Sequence, residues 1–359
     1  MPPPSLLSYS EVLAETDESR HLLLGNGFSI SCRPNVFTYG RLFDRADFGN
    51  LARVREAFDV LGTKNFEALI RALRSFAMLA SVYAPGAPEA NAKAAGDADA
   101  LREVLVGAVA NSHPDRPHDI VSAEYLRCRE FIRGYKSINT LNYDLLLYWA
   151  LMQDNLGDDK ISCDDGFRKP AGDPMADYVS WDPDNSKTPT VRYLHGALHL
   201  FDTGKEMKKF TWVNTQVPLI KQIRAALNQD FYPVFVSEGT SDEKVERIRH
   251  NDYLCKMYRS FTEIKGALVV FGHSLDASDD HIFQDRIGRH GKTSQLYVSL
   301  HGDPTSEANQ GIIRRATALS NLRRGKWQLN VKYFDADSAS VWKKSESLSI
   351  PDQTNVSVQ

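Results

Sequence analysis

One histidine lies inside an apolar, strand-like run, VRYLHGALH, at residues 191–199. His195 is followed directly by Gly196, so we expect its ring to lie where the backbone turns out of the strand. An imidazole with a reference pKa of about 6.5 can accept a proton near neutral pH, which is the chemistry of a general base. A core histidine with a hydrogen-bond partner is the alternative interpretation.

A second segment, NTLNYD, carries Asn142 and Asp144 at the end of another apolar run. The Asn142 side chain offers donors and an acceptor, which suits ribose hydroxyls or a carboxamide. Asp144 could accept a hydrogen bond from an amide, or it could cap a helix formed by the following LLLYWALMQ. Capping explains Asp144 well and Asn142 poorly, so Asn142 is the stronger candidate for a site residue.

A glycine turn follows a third apolar run, in LLLGNGFS. Gly25 and Gly27 would let the backbone turn sharply and approach a phosphate closely, with amides of a following helix pointing at the anion. A dinucleotide fingerprint would need a third glycine where Ile30 stands. An ordinary turn from strand to helix is therefore about as good an interpretation of this segment alone.

A fourth run ends in VVFGHSLDASDDHI. Gly272 and Ser274 follow its apolar part, and the hydroxyl is suited to phosphate or ribose. Asp279 and Asp280 are expected to cap a helix that begins near His281. The stretch DDHIFQD contains possible metal ligands, but solvated or capping carboxylates explain it better, and we predict no metal. His273 is left out of the catalytic set.

Strand-like runs alternate with helical ones along much of the chain, which predicts an α/β fold with a Rossmann-like, doubly wound parallel sheet. In such a sheet, ligands bind beyond the carboxyl ends of the strands, where the four segments above would meet. The strand-like runs are residues 20–24, 137–143, 190–196, 231–237, 267–274, 295–300 and 328–334.

A helical pattern replaces this alternation between residues 45 and 135. Apolar residues at helical spacing in NFEALIRALRSF and in DALREVLVGAVA predict two helices, and residues 84–98 between them predict a loose connection. We therefore predict a helical insertion at 45–135 in a discontinuous domain formed by 1–44 and 136–342. A polar tail is expected at 343–359.

Composition narrows the class of protein. The 359 residues are 42% hydrophobic and 25% charged, with a formal net charge of −3, so no general attraction to nucleic acid or to an anionic membrane is expected. No signal peptide or membrane span is indicated. The four cysteines are scattered without a CxxC pair, which argues against a structural zinc module and a disulfide framework. These features predict a cytoplasmic protein.

Taken together, the four segments resemble the sirtuin-like NAD-consuming domains, in which a glycine turn, a TxN segment, an LHG segment and a GxSL segment occur in this order. The stretch at 233–254 further resembles a prokaryotic branch of this group. The matching residues are Gly25, Asn26, Gly27, Phe28 and Ser29, then Thr140 to Asp144, then Leu194 to Gly196, then Gly272 to Leu275.

The resemblance implies NAD as a substrate and a role for each matched residue. Asn142 would orient the nicotinamide ribose and the attacking water, and His195 would be the base that acts through a ribose hydroxyl. Asp144 would contact the nicotinamide carboxamide. The diphosphate and the adenine-side ribose would be held by the glycine turn and by the segment with Gly272 and Ser274.

Departures from the family pattern favour plain NAD hydrolysis over deacylation. The zinc module of the deacylating members is missing, the turn reads GNG rather than GAG, and no acyl-lysine groove is indicated. The resemblance then implies an NAD-depleting effector of anti-phage defence. We expect it to be activated by homo-oligomerisation or by a protein partner such as a HerA-type ATPase.

Two other functions remain open. A non-catalytic sensor of NAD or ADP-ribose would bind nucleotide without turnover. A deacylase or ADP-ribosyltransferase would release nicotinamide only when an acceptor is supplied.

Overall fold

The structure of the protein is a computed structural model. It describes residues 4–343 except 87, 154–155, 157–160, 171, 174, 185–187, 212–216, 230, 237–239 and 326–327. The predicted polar tail therefore lies outside the described residues, apart from Lys343. The strands are β1 (Leu6–Leu7), β2 (His21–Leu24), β3 (Ser137–Thr140), β4 (Phe167–Arg168), β5 (Tyr178–Trp181), β6 (Val191–Tyr193), β7 (Leu200–Asp202), β8 (Met207–Phe210), β9 (Lys265–Phe271), β10 (Lys292–Leu300) and β11 (Asn330–Asp335).

Helices connect most of these strands. They are α1 (Tyr9–Glu15), α2 (Gly27–Cys32), α3 (Pro34–Phe37), α4 (Tyr39–Arg45), α5 (Ala52–Val60), α6 (Phe66–Tyr83), α7 (Pro88–Ser112), α8 (Ser122–Arg133), α9 (Leu146–Leu151), α10 (Leu219–Leu227), α11 (Ser241–Arg249), α12 (Asp252–Thr262) and α13 (Glu307–Asn321). A π-helical segment spans His281–Arg289, and short 3₁₀ turns lie at Pro117–Asp119, Ala277–Asp279 and Ala336–Ala339.

A seven-stranded parallel sheet forms the centre of the fold, in the order β1-β11-β10-β9-β2-β3-β6. Its inner strands are apolar runs buried along most of their length, as expected where helices cover both faces of a parallel sheet. The chain moves outward in one direction from β2 through β3 to β6, and in the other from β9 through β10 to β11. The predicted α/β class with a Rossmann-like doubly wound sheet is thus confirmed. Its topological switch point lies between β2 and β9.

A second, antiparallel sheet in the order β4-β5-β8-β7 was not predicted. Its β7 and β8 form a hairpin whose tight turn contains Gly204 at a φ of +74°. Burial alternates along β8, with Met207 and Lys209 buried and Lys208 and Phe210 half-buried, but its sequence, MKKF, has no matching alternation of apolar and polar residues and carries no signal for a strand. Such short strands are hard to distinguish from loops in a single sequence.

The described residues between 45 and 135 form helices α5 to α8 and no strand, as the helical pattern predicts. The domain boundaries stay a prediction, and α8 itself lies on the central sheet, where the Phe131 ring is 5.1 Å from that of Phe271 in β9. The loose connection expected at 84–98 is wrong, because α7 already begins at Pro88. Proline at a first helical position starts this helix, and the alanines that follow favour it.

The strand predicted at 231–237 is also wrong for its described part. Residues 231–236 form no strand. Phe235 makes an isolated antiparallel bridge with Gly196, the Val236 amide donates to the His195 carbonyl at 2.9 Å, and the Val234 amide donates to the Leu200 carbonyl at 2.7 Å. This segment crosses the end of β6 instead of extending the parallel sheet. Gly196 permits the crossing, because it has a φ of +82° and a Cβ there would lie 2.0 Å from the Val234 carbonyl oxygen.

We expect Gly196→Ala to lower the free energy of unfolding by more than about 3 kcal/mol, because a backbone overlap adds to the cost of a left-handed alanine. Gly204→Ala is the matched control. Gly204 also has a positive φ, but a Cβ there meets nothing within 4 Å, so we expect a cost of only about 1–2 kcal/mol. Urea denaturation of both variants makes the comparison, and equal losses would contradict this account of Gly196.

Candidate active site

A cavity of about 850 Å³ lies at the carboxyl edge of the central sheet. This volume is in the range of small-molecule and cofactor sites, roughly 300–1,000 Å³. One wall comes from the ends of the strands and carries Asn26, Gly27, Asn142, Asp144, His195, Gly272 and Ser274. The lining also includes apolar side chains from helices α2, α3 and α7, among them Ile30, Phe37, Leu105 and Val109. Seven of the ten site residues predicted from the sequence therefore line one cavity.

His195 lies in this wall with only 2% of its surface exposed. Its Nε2 is 2.9 Å from Nε2 of His281, so one of the two atoms carries a proton that the other accepts. The Tyr143 ring stacks beside it at 6.4 Å. Burial lowers the pKa of His195 well below 6.5; the nearby Asp279 opposes this shift and the Lys244 ammonium adds to it. His195 is therefore a neutral imidazole at pH 7.

A buried carboxylate lies behind the two histidines. Asp279 Oδ1 is 2.9 Å from Lys244 Nζ and 3.9 Å from His195 Nε2, and Oδ2 is 3.1 Å from His273 Nε2. The Leu275 amide donates to His273 Nδ1 at 2.8 Å, so the proton of this ring lies on Nε2 and points at Asp279. Burial alone would raise the pKa of Asp279, but these cationic and donor groups hold it well below 3.8.

Asn142 is fixed by residues that sequence reasoning assigned to the ligand. Its Nδ2 donates to Ser29 Oγ at 2.9 Å, and the Ser29 hydroxyl donates in turn to Asp144 Oδ2. The other Asp144 oxygen accepts from the Leu146 amide at 2.9 Å at the start of α9. Burial raises the pKa of Asp144. Ser29 is itself buried, so it and Asp144 hold the Asn142 amide in place, and among the described residues no group hydrogen-bonds the side-chain oxygen of Asn142.

The glycine turn is built around contact with another backbone segment. A Cβ on Gly25 would lie 2.7 Å from the Gly272 carbonyl oxygen, and one on Gly27 would lie 2.5 Å from the Gly272 Cα. The Gly27 amide donates to Gly272 at 2.7 Å, and the amides of Phe28 and Ser29 donate to carbonyls within the turn. The glycines therefore allow β2 and β9 to end side by side, and these three amides are already bonded and not free to hold a phosphate.

The remaining predicted residues divide between cavity and core. The Asn26 side chain donates to the Phe37 carbonyl at 3.2 Å along the cavity wall, and Ser274 is exposed at the cavity. Phe28 is buried against Trp342, with 5.3 Å between the ring centroids, and Trp342 Nε1 donates to the Phe28 carbonyl. Phe28 thus packs α2 against Trp342, near the end of the described residues, and does not line the cavity.

Whether this cluster suits a metal ion depends on its possible ligand atoms and on the charges beside them. Among the described residues, His195, Asp279 and His281 place three possible ligand atoms within 4.8 Å of one another, and such a set could suit zinc. The Lys244 ammonium, however, binds the same Asp279 oxygen, and a dication there would lie against a buried positive charge. The donor set fits an internal ion pair, and we assign no metal ligands.

Sequence reasoning did not assign Asp279, Lys244 or His281 to the site. The capping role expected of Asp279 is wrong, because both of its oxygens bind cationic or donor side chains, and Asp280 binds Arg315 and Gln284 instead of a helix amide. Lys244 stands in a strongly charged helix, where a lysine normally faces solvent. The adjacency of His281 to two aspartates was the available signal.

Comparison with known proteins gives a family. A family model described as Domain of unknown function (DUF4917) matches residues 22–342. The match covers strands β3 to β11, most of β2 and the helices between residues 45 and 135. No curated protein matches the chain. Among the helices of the described residues, none combines the length and apolar character needed to cross a membrane.

Buried histidines should make stability depend on pH. Burial is the largest cause of a lowered pKa in five of them, so the unfolded chain, with values near 6.5, binds protons first as the pH falls. The free energy of unfolding is then retained above about pH 6.5 and lost below it, by up to about 1.4 kcal/mol per pH unit for each histidine. The five are His21, His113 and His281, with pKa values of about 4, and His195 and His199, with values well below 6.5.

Urea denaturation at pH 7.5 and pH 5.0 measures this loss. The control is His281→Gln, which removes one of the five groups and should reduce the difference between the two pH values. An unfolding free energy that is the same at both pH values would contradict the burial of neutral histidines.

Proposed function

We propose that the chain, which belongs to the family of the DUF4917 domain of unknown function, is an NAD glycohydrolase that produces nicotinamide and ADP-ribose. The supporting observation is that Asn142 and His195, from different strand ends, line one cavity at the switch point of a Rossmann-like sheet. The order of the four sequence segments, which resembles that of sirtuin-like domains, supports NAD as the ligand.

Hydrolysis of the bond between nicotinamide and ribose mainly requires that the ribose and a water molecule are held in position and that a general base accepts a proton. Water attacks C1′ of the nicotinamide ribose, the bond from C1′ to the pyridinium nitrogen breaks, and nicotinamide leaves as a neutral molecule. The proton lost by the water passes to His195 through a ribose hydroxyl. A neutral imidazole can accept it, and burial behind an apolar wall limits the access of bulk water.

Asn142 would orient the ribose and the water, and the hydrogen bond that its Nδ2 donates to Ser29, which in turn donates to Asp144, fixes its amide for this task. Because the turn amides of Gly27, Phe28 and Ser29 are already bonded, the diphosphate would rely on side chains. Ser274 is one such donor. Arg71 and Lys343 also line the cavity, and their charge suits a diphosphate.

We propose further that self-association activates the chain. Helix α6 borders the cavity through Asn65, Ala68 and Arg71, while its second half exposes an apolar row. The row contains Phe76, Leu79, Val82 and Tyr83, each at least 51% exposed. A second copy of the chain related by two-fold symmetry could cover this row, and α6 would carry the effect to the cavity. In the cell, NAD depletion by such an effector would serve anti-phage defence in the cytoplasm, with a HerA-type ATPase as a candidate trigger.

Nicotinamide release from NAD by the purified chain is the test. We expect His195→Ala to lower kcat by about 10²–10⁴-fold, as for the loss of a general base. Asn142→Ala should also abolish most turnover, since the ribose and water lose their orientation. The matched control is His250→Ala, which removes an exposed histidine and should leave the rate unchanged.

The assay is run over a range of protein concentration with light scattering in parallel, and the rate per chain should rise with the self-associated fraction. Saturable NAD binding without nicotinamide release in any associated state would instead identify a nucleotide sensor. Release that requires an acceptor, such as an acyl-lysine peptide, would identify a deacylase or ADP-ribosyltransferase. Full activity in His195→Ala would contradict the mechanism.

A further inference from the structure

A buried ion pair lies beside the histidine that the proposed reaction uses. The Lys244 side chain is 1% exposed and that of Asp279 is 12% exposed, and their charged atoms are 2.9 Å apart. Ion pairs that are removed from water to this degree seldom add net stability, because the desolvation of both charges offsets their attraction. A role in the neighbouring site is therefore a reasonable explanation for its presence.

Two separate elements supply the pair, and a third carries His281 beside it. Lys244 occupies the buried face of α11 together with Ile248, one turn further on. Helix α11 is held at its start by Thr240 and Glu243, which cap it reciprocally. Asp279 ends the 3₁₀ turn Ala277–Asp279. The start of this turn is fixed by the Asp276 carboxylate, which accepts a hydrogen bond from the Ser278 amide. The π-helical segment that follows begins with His281.

The charges that face His195 come from these same elements. Asp279 Oδ1 is 3.9 Å from His195 Nε2 and binds the Lys244 ammonium. His281 shares a proton with His195, and His273 donates to the other Asp279 oxygen. A buried carboxylate without its counter-ion would favour the protonated form of the imidazoles close to it, and His195 is one of them. An imidazolium has no lone pair with which to accept a further proton.

We propose that Lys244 and Asp279 are a positioning pair that keeps His195 neutral before reaction and stabilises its positive charge after it has accepted a proton. Lys244 balances the carboxylate in the resting site. When His195 takes the proton of the ribose hydroxyl, Asp279 lies close enough to stabilise the imidazolium, and His281 is placed to share the proton. The inference depends on the proposed function only for the identity of that hydroxyl.

Histidine NMR titration tests the proposal without any nucleotide. In Lys244→Met, the ring of His195 or of His281 beside it should titrate about 1–3 pH units higher than in the wild type, because the carboxylate is no longer balanced. In Lys244→Met/Asp279→Asn, which removes both charges, the titration should return toward the wild-type position.

Lys209→Met is the matched control variant. It also removes a lysine from a largely buried pair, with Asp165, but that pair lies beside His199 instead of His195. It should leave the titrations of His195 and His281 unchanged. A folded Lys244→Met with unshifted His195 and His281 would overturn the proposal. Failure of the charge-balanced double variant to fold would overturn it as well, because the pair would then support the fold and not the histidine.

The activity arm separates this inference from the proposed function. In Lys244→Met, the acid limb of the pH profile of nicotinamide release should move to higher pH by the same interval as the titration. Lost activity should therefore be regained at alkaline pH, which a purely structural defect would not show. If the wild type releases no nicotinamide but the histidine titrations shift as expected, the function fails and the role of the pair stands. Nicotinamide release by Lys244→Met with an unchanged pH profile would leave the proposed function standing and overturn the role of the pair.

Discussion

The site depends on the close contact of two backbone turns at the switch point of the sheet. The turn after β2 and the turn after β9 approach so closely that a Cβ on Gly27 would lie 2.5 Å from the Gly272 Cα. This contact aligns the ends of β2 and β9. It also fixes α2, which carries Ser29 to Asn142, and the loop that carries Asp279 to His195. The glycines thus act on the site through geometry, and their bonded amides show that this role is distinct from phosphate binding.

Electrostatic balance is the second feature that the site depends on. The cluster contains three imidazoles, one carboxylate and one ammonium, almost entirely removed from water. Its carboxylate and its ammonium compensate each other, and the neutral imidazoles of His195 and His281 share a hydrogen bond. A catalytic base in such a place needs both properties, since burial keeps it unprotonated and a nearby anion stabilises the charge that it acquires.

The sequence was informative where local rules decide the structure. Apolar runs between glycines and helical stretches were sufficient to predict the sheet class and to place Asn142 and His195 at strand ends, because parallel strands have a strong local signature. Residues 231–236 were misjudged because an apolar segment looks like a strand whether it joins a sheet or only crosses one. Likewise, α7 was shortened in the prediction because Pro85, Gly86, Pro88 and Gly96 are typical of a connection and outweighed the helix-favouring alanines around them.

The partners of the site residues could not be predicted in the same way. Lys244 and Asp279 are 35 positions apart, and only the packing of α11 against the 3₁₀ turn brings them together. Ser29 and Phe28 were both assigned to the ligand because they belong to one motif. Their neighbours in space give them different tasks, since Ser29 orients Asn142 and Phe28 packs on Trp342. Such long-range contacts decide which residue of a motif faces a ligand.

The most direct measurement is a crystal structure of the wild-type chain soaked with a carbocyclic analogue of NAD, in which a methylene group replaces the ring oxygen of the nicotinamide ribose so that the ligand is not hydrolysed. The account predicts the analogue in the cavity at the carboxyl edge of the sheet, with a hydroxyl of its nicotinamide-side ring within hydrogen-bond distance of His195. The analogue bound with its nicotinamide end away from His195, or an empty cavity at a saturating concentration of it, would contradict the account.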